Sequence, residues 1–314
     1  MEGVRLSKDA ALVKAIGDDC AVVRIPGGKC ALLTTDISIE GVHFTREFSP
    51  PGDIGWKAMT GNVSDVAAMG GWGRYALVSL GVPADEDEEY VLKVYDGMIE
   101  AAAAADVAIA GGDVSRSDRL VISIALYGEA EETQVVYRSG ARPGNHLYVT
   151  GRLGGSKAGL ELLRDMGLSR AGREGLIARH RRPVARHDIV RDLLIQFSPT
   201  AMIDISDGLL SDLRHICEAS SAGFLLRAER IPLEPGLALF AKERGAGALE
   251  YALSSGEEYE LLFTSEKWLA DTMHLAINDI PVTLIGEITE RGFFVEDASG
   301  RKEITVKGYD HFKA

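Results

Sequence analysis

The sequence predicts a mixed α/β or α+β fold with two domains. The chain has 314 residues, which is enough for two domains or one large one, and 46% of them are hydrophobic, so an ample core can form. Apolar runs typical of strands alternate along the chain with segments of helical spacing. Glycine, proline and polar residues interrupt this alternation in "RSGARPGN", residues 138–145. We therefore predict a domain boundary there, between an N-terminal domain of residues 1–138 and a C-terminal domain of residues 139–314.

The first half is predicted to contain a hairpin, two helices and three further strands. The runs "CAVVRI" and "CALLTTDI" flank a Pro-Gly-Gly turn, an order typical of a hairpin. Residues 54–71 place Trp56, Met59 and Val63 on one helical face, and two glycines end the segment. Residues 85–105 begin with acidic residues, as the first turn of a helix favours. The runs "YALVSLGVP", "VAIAGGD" and "LVISIALYGEA" have the composition of strands.

The second half also alternates between strands and helices. The strand "HLYVTG" leads through a glycine-rich turn into the helix "SKAGLELLRDMG", and "TAMIDIS" precedes another helix. "YELLFT" and "VTLIGEIT" are further strands, and residues 227–247 have the composition of a polar, flexible stretch. The turn "TGRLGGSKAG" does not match a Walker phosphate-binding loop, because its glycine spacing is one residue short and no Ser or Thr follows the lysine. We expect a tightly packed strand-to-helix turn instead.

Charge and cysteine content exclude some classes of protein. The net charge is −13, which argues against a nucleic-acid-binding protein, since such proteins usually have a basic face. It does not argue against a phosphate-bearing substrate, because bound divalent cations can invert the local charge. The three cysteines are far apart and match no metal-binding spacing, so we expect reduced thiols in the cytoplasm. The sequence shows no signal peptide or membrane-spanning run, and no membrane partner is expected.

Aspartates recur in one local pattern, in which an apolar run is followed by aspartate and then by glycine or a hydroxyl residue. We expect these aspartates at strand ends, from which their carboxylates can converge on one crevice. Oxygen ligands of this kind suit Mg²⁺, which stabilises charge on a transferring phosphoryl group. The pattern contains Asp18, Asp19, Asp36, Asp113, Asp204 and Asp207, and Asp65 lies within the first helix.

Each aspartate taken alone also fits a simpler role, as a helix N-cap or a turn residue. Asp207 matches the N-cap of the helix "GLLSDLRHICEA", and Asp212 matches a solvated position one turn later. His43 is flanked by apolar residues and fits a structural role, while the three glutamates of "SSGEEYELLF" fit a solvated loop. The sequence contains no Ser-His-Asp or Cys-His pattern, so no covalent nucleophile is expected.

These motifs occur together, and in order, in one known family. They are "IGDDCAVV", "TTDISIEGVHF", "KAMTGNVSDVAAMGG", "IAGGDVSRSD", "RSGARPGNHLYVTGRLGGSKAGLELL", "RHRRP", "IDISDGLLSDL", "SSGEEYELLFT" and "KGYDHF". The chain resembles the thiamine-monophosphate kinase family, within the superfamily of aminoimidazole ribonucleotide synthetase and selenophosphate synthetase. The resemblance implies an N-terminal α/β domain whose sheet pairs across a homodimer, and a C-terminal α+β domain. It also implies direct transfer of the γ-phosphate of the co-substrate ATP to thiamine monophosphate, assisted by several Mg²⁺ ions.

The resemblance further implies three groups of site residues. The implied metal ligands are Asp19, Thr34, Thr35, Asp36, Asp65, Asp113, Asp204 and Asp207. The implied nucleotide contacts are Tyr95, Gly112, Asp113, Arg138 and Ser206. The implied substrate contacts are His43, Glu257 and Tyr309, and the ring of Tyr309 can stack on thiamine with cation–π attraction to the thiazolium. No general base is expected, because the acceptor phosphate has a second pKa of about 6 and is ionised near neutral pH.

The chain departs from the family pattern at two positions of one loop. Where the family has "SGGEDYEL", this sequence has "SSGEEYEL", with Ser255 in place of glycine and Glu258 in place of aspartate. Two other functions stay open. One is another ATP-dependent enzyme of the superfamily, of the cyclo-ligase or selenophosphate synthetase type, although no reactive cysteine precedes Cys20. The other is a non-catalytic nucleotide-binding scaffold.

Overall fold

Each half of the chain builds one β-sheet in the computed structural model, which describes residues 9–165, 167–269 and 275–306. The N-terminal strands are β1 (Leu12–Lys14), β2 (Ala21–Ile25), β3 (Lys29–Ile39), β4 (Trp72–Val82), β5 (Ala108–Arg116) and β6 (Val121–Glu131). Within the described residues they form a six-stranded sheet in the order β1-β2-β3-β6-β4-β5. Neighbouring strands are antiparallel except β4 and β5, which are parallel. The predicted hairpin is confirmed as the β2–β3 pair.

Two helices cover one face of this sheet and cross each other closely. They are α1 (Pro51–Ala68) and α2 (Glu88–Ala104). At the start of α2, Asp87 Oδ1 accepts a hydrogen bond from the Glu89 N–H at 3.1 Å and so caps the helix. A Cβ at Gly55 of α1 would lie 1.8 Å from the Val94 carbonyl oxygen. A Cβ at Gly97 of α2 would lie 1.9 Å from the Gly52 carbonyl oxygen. The crossing therefore requires glycine on both helices, and it holds α1 firmly over the sheet.

The C-terminal half forms a second, mixed sheet flanked by short helices, which confirms the predicted α+β class. Its strands are β7 (His146–Thr150), β8 (Ala201–Asp204), β9 (Gly223–Arg227), β10 (Leu261–Ser265), β11 (Leu275–Ile277), β12 (Ile280–Thr289), β13 (Phe293–Asp297) and β14 (Gly300–Glu303). In the described part of the chain their order is β14-β13-β9-β12-β7-β10-β8, and β11 pairs with β12. The helices are α3 (Gly155–Arg164), α4 (Glu174–Arg181), α5 (Val190–Phe197), α6 (Leu209–Ser220), α7 (Leu237–Glu243) and α8 (Ala248–Ser254).

An apolar cluster joins the two halves of the chain. Ala67 and Ala68, at the end of α1, pack with Tyr148, Phe197 and Phe263 of the C-terminal half. The three rings contact one another with centroids 5.1 to 5.3 Å apart. Burial of these side chains stabilises the placement of α1 against the second sheet. As a result, the polar side of α1 lies next to β8.

Two expectations about local structure are wrong. Asp36 and Asp113 lie inside β3 and β5 rather than at strand ends, because backbone pairing with β6 and β4 continues past them. Residues 227–247, expected to be flexible, contain α7, whose Phe240 is fully buried and packs edge-on against Tyr251. Local polarity misled this prediction, since the short helix is anchored by three buried residues, Leu237, Phe240 and Ala241.

The sheet face opposite α1 and α2 carries exposed apolar side chains. Leu33 is 44% exposed, Ile37 51%, Tyr75 51% and Leu77 54%. Tyr75 also stacks on Tyr127 of the neighbouring strand, with ring centroids 6.1 Å apart. We call the surface formed by these five residues the outer face. A contiguous apolar patch of this kind is typical of an interaction surface.

Two further expectations concern the cysteines and the domain boundary. Cys20, Cys30 and Cys217 are free and buried.

Within the described ranges, none of the helices has the length and apolarity needed to cross a lipid bilayer. The boundary between residues 138 and 139 falls in the segment that links β6 to β7 and, like the cytoplasmic location, stays a prediction.

Candidate active site between the two domains

A cavity of about 590 Å³ lies between the two halves of the chain. The N-terminal half contributes residues of β3, the segment after it and one face of α1. The C-terminal half contributes the start of α3, the end of α4 and the loops that follow β8 and precede β10. Lys57, Gly61 and Asp65 are each one helical turn apart, so α1 presents all three to the cavity.

Three aspartates from distant parts of the chain meet beside this cavity. Asp19 precedes β2, Asp65 lies in α1 and Asp204 is the last residue of β8. One carboxylate oxygen from each lies within 4.8 Å of the oxygens contributed by the other two. The structure thus brings together three of the expected metal ligands, which we call the carboxylate cluster.

Burial and mutual repulsion oppose ionisation of the carboxylate cluster. Burial raises the pKa of Asp19 to about 6, although Arg138 counteracts part of this rise. Burial, followed by repulsion from Asp19, raises the pKa of Asp204 to about 8. The pKa of Asp65 is well above its ordinary value because of burial and then the charges of Asp36 and Asp204. The three groups therefore need additional positive charge nearby to be ionised together.

Hydroxyl groups orient two of these carboxylates. Thr34 Oγ1 donates a hydrogen bond to Asp65 Oδ2 at 2.5 Å, and Ser64 Oγ donates to Asp204 Oδ2 at 2.6 Å. Thr34 was among the expected site residues, whereas Ser64 was missed. The available signal was its position next to Asp65 in "GNVSD", on a helix that also packs against β8.

Arg138 neutralises only part of the carboxylate cluster. Its Nη2 donates to Asp19 Oδ1 at 2.5 Å. The other oxygen of Asp19, Oδ2, is buried, and among the described residues no hydrogen-bond donor reaches it. An unpaired carboxylate oxygen beside two further carboxylates fits a hard divalent cation, which prefers oxygen ligands. Asp19, Asp65 and Asp204 are therefore suited to hold Mg²⁺.

Two further acidic residues, Asp36 and Asp207, lie along the cavity wall next to the cluster, together with the hydroxyl residue Ser206. Asp212 was expected at a solvated helix position, but it is only 1% exposed. Its Oδ2 accepts hydrogen bonds from the N–H groups of Asp207 and Gly208, at 3.2 and 3.0 Å. The expectation is wrong because α6 directs this side chain back to its own first turn. Gly208, rather than Asp207, stands at the N-cap.

A second polar group in the cavity contains the expected substrate contacts His43 and Glu257. Lys57 Nζ donates to Glu257 Oε2 at 2.8 Å and lies 3.5 Å from His180 Nε2. Burial tends to raise the pKa of Glu257, but Lys57, through its charge and its hydrogen bond, and the neighbouring histidines together outweigh burial, so the pKa is lowered. Burial, and then the Lys57 charge, lower the pKa of His180 to about 3, so its ring is neutral at pH 7. Sequence reasoning missed Lys57 and His180, although Lys57 precedes Asp65 by two helical turns.

Successive side chains of the loop that carries Glu257 point alternately into the cavity and into the protein interior. Glu257 and Tyr259 line the cavity, whereas Glu258 and Glu260 are completely buried. Arg179 Nη2 lies 3.1 Å from Glu258 Oε2 and 2.9 Å from Glu260 Oε1. The expectation of a solvated acidic loop is therefore wrong, because a buried guanidinium compensates the two inward-pointing charges.

Glu258 also occupies the glycine-rich turn. Its Oε1 accepts hydrogen bonds from the N–H groups of Gly154 and Ser156, at 2.8 and 3.1 Å, and from Ser255 Oγ at 2.6 Å. Amides that would bind phosphate in a Walker loop are thus occupied by a carboxylate of the protein itself. The prediction of a packed strand-to-helix turn is confirmed. The two departures from the family pattern, Ser255 and Glu258, are in direct contact.

Several expected site residues lie away from the carboxylate cluster in this chain. Gly112 and Asp113 are in β5, three strands from β3, which corresponds to about 14 Å at about 4.8 Å between strands. Side chains alternate between the two faces of a strand. Because Thr34 faces the cluster and hydrogen-bonds to Asp65, Thr35 points to the opposite face of the sheet. Tyr95 packs against the N-terminal core. Tyr309 lies outside the described residues.

Comparison with known families assigns both halves of the chain. The family model described as "AIR synthase related protein, N-terminal domain" matches residues 17–130. The model described as "AIR synthase related protein, C-terminal domain" matches residues 142–297. The matched regions thus contain the residues that line the cavity and all strands of both sheets except the outermost strands β1 and β14 and the last residue of β6.

Curated proteins and a solved structure resemble the chain over nearly its whole length. Thiamine-monophosphate kinase of Aquifex aeolicus is 40% identical, with 98% of this chain and 96% of that protein covered. Thiamine-monophosphate kinase of Escherichia coli is 34% identical, with 95% and 91% covered. A solved structure described as "AaThiL complexed with AMPPCP and TMP" has a TM-score of 0.84 and 40% identity, covering 95% of this chain and 92% of that one.

Proposed function

Because this chain belongs to the thiamine-monophosphate kinase family, we propose that it transfers the γ-phosphate of ATP to thiamine monophosphate, forming thiamine diphosphate and ADP. The carboxylate cluster at the inter-domain cavity carries this proposal, since two buried acids and one half-buried acid meet there without enough positive charge to balance them. Transfer between two anionic phosphates depends on charge compensation and positioning rather than on covalent catalysis. A related structure holds AMPPCP and TMP together, which supports the proposed pair of substrates.

Asp19, Asp65 and Asp204 are proposed to hold Mg²⁺, with Asp36 and Asp207 contributing from the cavity wall. When bound, the metal would neutralise phosphate charge and stabilise the charge that develops on the transferring phosphoryl group. The chain itself keeps the carboxylates in place, through hydroxyl donors on β3 and α1. These hydrogen bonds limit the motion of the carboxylates before any cation arrives.

The nucleotide is proposed to lie beside Arg138 and Ser206. The guanidinium of Arg138 is a planar fork of N–H donors, which suits phosphate oxygens. Its contact with Asp19 places it at the rim of the carboxylate cluster. Ser206 lines the cavity directly after β8, and its carbonyl oxygen accepts a hydrogen bond from the Glu257 N–H at 2.8 Å. This contact would couple the nucleotide side of the site to the substrate side.

Thiamine monophosphate is proposed to occupy the part of the cavity lined by His43 and Glu257. Lys57 favours the ionised form of Glu257, and an anionic carboxylate complements the positive charge of thiamine. His43 Nδ1 accepts a hydrogen bond from the Ile39 N–H at 3.0 Å, which orients the ring. We assign no general base, because the acceptor phosphate is ionised near neutral pH, with a second pKa of about 6.

The outer face is proposed to pair with the outer face of a second copy of this chain. Its exposed aliphatic and aromatic side chains suit burial in a homodimer. Asp113 pairs in register with Ser79 of β4, which places its side chain on this same side of the sheet. Asp113 cannot reach the carboxylate cluster of its own subunit, and we propose that it acts across this interface.

Phosphate transfer from γ-labelled ATP tests the proposed function. The purified chain, supplied with ATP, Mg²⁺ and thiamine monophosphate, is expected to form labelled thiamine diphosphate, and EDTA is expected to abolish this product. Release of the label without thiamine diphosphate would instead indicate another enzyme of the superfamily. Binding of ATP without any turnover would indicate a scaffold, and either result would refute the proposal.

A further inference from the structure

Tyr259 lines the cavity two residues after Glu257. Two main-chain hydrogen bonds fix the backbone at this residue. The N–H groups of Glu258 and Tyr259 both donate to the carbonyl oxygen of Ile205, at 3.1 and 2.9 Å. Ile205 directly follows Asp204 of the carboxylate cluster. The position of Tyr259 is therefore coupled through the main chain to a residue of that cluster.

The loop adopts an uncommon backbone conformation at the two residues that face the cavity. Glu257 has φ of +55° and Tyr259 has φ of +53°, both in the left-handed region that side-chain-bearing residues rarely occupy. Glu258 and Glu260, on the other side of the same loop, are anchored in the interior by Arg179. Strained backbone of this kind occurs preferentially at functional sites, where surrounding contacts keep it in place. Here the interior ion pairs direct Tyr259 into the cavity.

The hydroxyl of Tyr259 lies close to Asp36, on the cavity wall beside the carboxylate cluster. A Cβ added to Gly61 of α1 would lie 3.5 Å from the Tyr259 hydroxyl oxygen and 3.1 Å from Asp36 Oδ2. The phenol and the carboxylate therefore approach the same point above α1, the phenol from the loop before β10 and the carboxylate from strand β3. Among the described residues this hydroxyl makes no hydrogen bond, so its donor capacity is available to a ligand.

We propose that the Tyr259 hydroxyl donates a hydrogen bond to the phosphate of thiamine monophosphate, where the substrate side of the cavity meets the carboxylate cluster. This inference rests on the proposed function and adds a residue that recognises the acceptor phosphate. A phenol suits this place because it is a neutral donor on a rigid ring. It can bind an anionic oxygen without repelling a cation held by the neighbouring aspartates.

The surroundings keep the phenol in the donor form. Burial, followed by the negative charges of Glu257 and Asp36, raises the pKa of Tyr259 well above its ordinary value. The hydroxyl therefore stays protonated at neutral pH. A phosphate oxygen, which only accepts hydrogen bonds when ionised, is the matching partner.

The variant Tyr259→Phe tests the inference because it removes only the hydroxyl. Tyr251→Phe is the matched control, since Tyr251 donates to Glu161 Oε2 at 2.7 Å outside the cavity. Steady-state kinetics and calorimetric binding of thiamine monophosphate and of unphosphorylated thiamine are measured for both variants and the wild type. Loss of a hydrogen bond to a charged group is expected to lower kcat/KM for thiamine monophosphate by about 10- to 100-fold. The KM for ATP is expected to stay unchanged.

The ratio of the two binding affinities decides the outcome. Tyr259→Phe is expected to reduce the preference for thiamine monophosphate over thiamine, whereas Tyr251→Phe is expected to keep it. This ratio stays informative even if the variant is less stable, because a misfolded fraction lowers the number of binding sites for both ligands equally and leaves the ratio of their affinities unchanged. A wild-type ratio together with wild-type turnover in Tyr259→Phe would overturn this inference alone. A wild-type chain that forms no thiamine diphosphate would overturn the proposed function as well.

Discussion

At the scale of single residues, the site consists of acids whose charges oppose folding. Asp204 is 1% exposed and Asp19 is 8% exposed, and burial of an unpaired charge is unfavourable. Hydroxyl donors and Arg138 compensate only part of this charge. Groups with strongly shifted pKa values in a cavity are typical of functional sites. The same unbalanced charge that destabilises the protein without metal is what would attract a cation.

Replacement of Asp65 by Asn is expected to separate activity from stability. The substitution removes one proposed metal ligand, so kcat should fall by at least about 100-fold, as for loss of a transition-state stabilising group. It also removes one repulsive charge, so the melting temperature without metal should stay the same or rise. Kinetics at saturating Mg²⁺ and thermal melts measure the two effects. Asp96→Asn, at an exposed position of α2, is the matched control and should change neither. Near-normal turnover of Asp65→Asn would remove this residue from the metal site.

The stability of the metal-free protein is expected to fall as the pH rises from about 4 to about 8. The folded-state pKa values of Asp19, about 6, and Asp204, about 8, lie above the ordinary value of 3.8. In this pH window the folded state binds more protons than the unfolded state, so the free energy of unfolding decreases with pH. Below and above the window the two states bind these protons equally.

Thermal melts in EDTA and in Mg²⁺, between pH 5 and pH 8.5, check this prediction. Mg²⁺ should raise the melting temperature more at pH 8 than at pH 5.5, since the cation competes with protons for the carboxylates. Asp204→Asn should reduce the change of melting temperature with pH that the wild type shows in EDTA. An Mg²⁺ effect of the same size at both pH values would contradict the proposed role of the cluster.

At the scale of elements, one short loop organises both the cavity and the interior. Outward residues Glu257 and Tyr259 face the substrate side, while inward residues Glu258 and Glu260 contact Arg179. Arg186 also pairs with Glu260, its Nε lying 2.6 Å from Oε2. Such a network is destabilised strongly when one partner is removed, because the remaining charge stays buried.

The variants Ser255→Gly, Glu258→Asp and their combination are expected to be non-additive. Ser255 Oγ donates to Glu258 Oε1 at 2.6 Å, and aspartate is one methylene too short to keep this contact together with those to α3. Each single variant should lose stability, and the double variant should lose less than their sum. The coupling free energy should be about 0.5–3 kcal/mol, measured by urea unfolding.

The control for this cycle combines Ser255→Gly with Glu218→Gln, which changes an exposed glutamate of α6. These two substitutions should be additive. Additivity in the Ser255 and Glu258 pair as well would show that the two departures from the family pattern arose independently of each other.

At the scale of the whole molecule, the two faces of the first sheet have different surroundings. The inner face of the first sheet packs on α1 and α2, and the end of α1 packs into the second half, which forms the cavity. The outer face remains available for a second copy. Neither half contains the complete carboxylate cluster, so the proposed activity requires both halves in their observed arrangement.

Leu77→Asp is expected to dissociate the proposed homodimer. Leu77 of β4 is 54% exposed on the outer face, and burial of a charge between two apolar sheets is unfavourable. Sedimentation velocity should show a dimer for the wild type and a monomer for the variant. Leu239→Asp, at a similarly exposed position of α7, is the control and should remain dimeric. A monomeric wild type would contradict the proposed interface.

Local pattern determined much of this protein in advance. The hairpin, the amphipathic helix α1 and the main strands follow from periodicity and turn residues, because these depend on neighbours a few positions away. The ordered motifs identified the family and named Asp19, Asp65 and Asp204. The same local view placed Asp36 and Asp113 at strand ends and Glu258 in solvent, because a strand boundary or a burial partner depends on distant segments.

Only the tertiary structure decided which of these residues share a site. Ser64 and Asp204 are 140 positions apart in the chain yet lie in hydrogen-bonding contact. Such contacts are decided by the packing of α1 between two sheets, which no local periodicity encodes. For the same reason, Lys57 and Tyr259 became recognisable as cavity residues only when both sheets were in place. The strand order of the first sheet likewise places Asp113 three strands from β3.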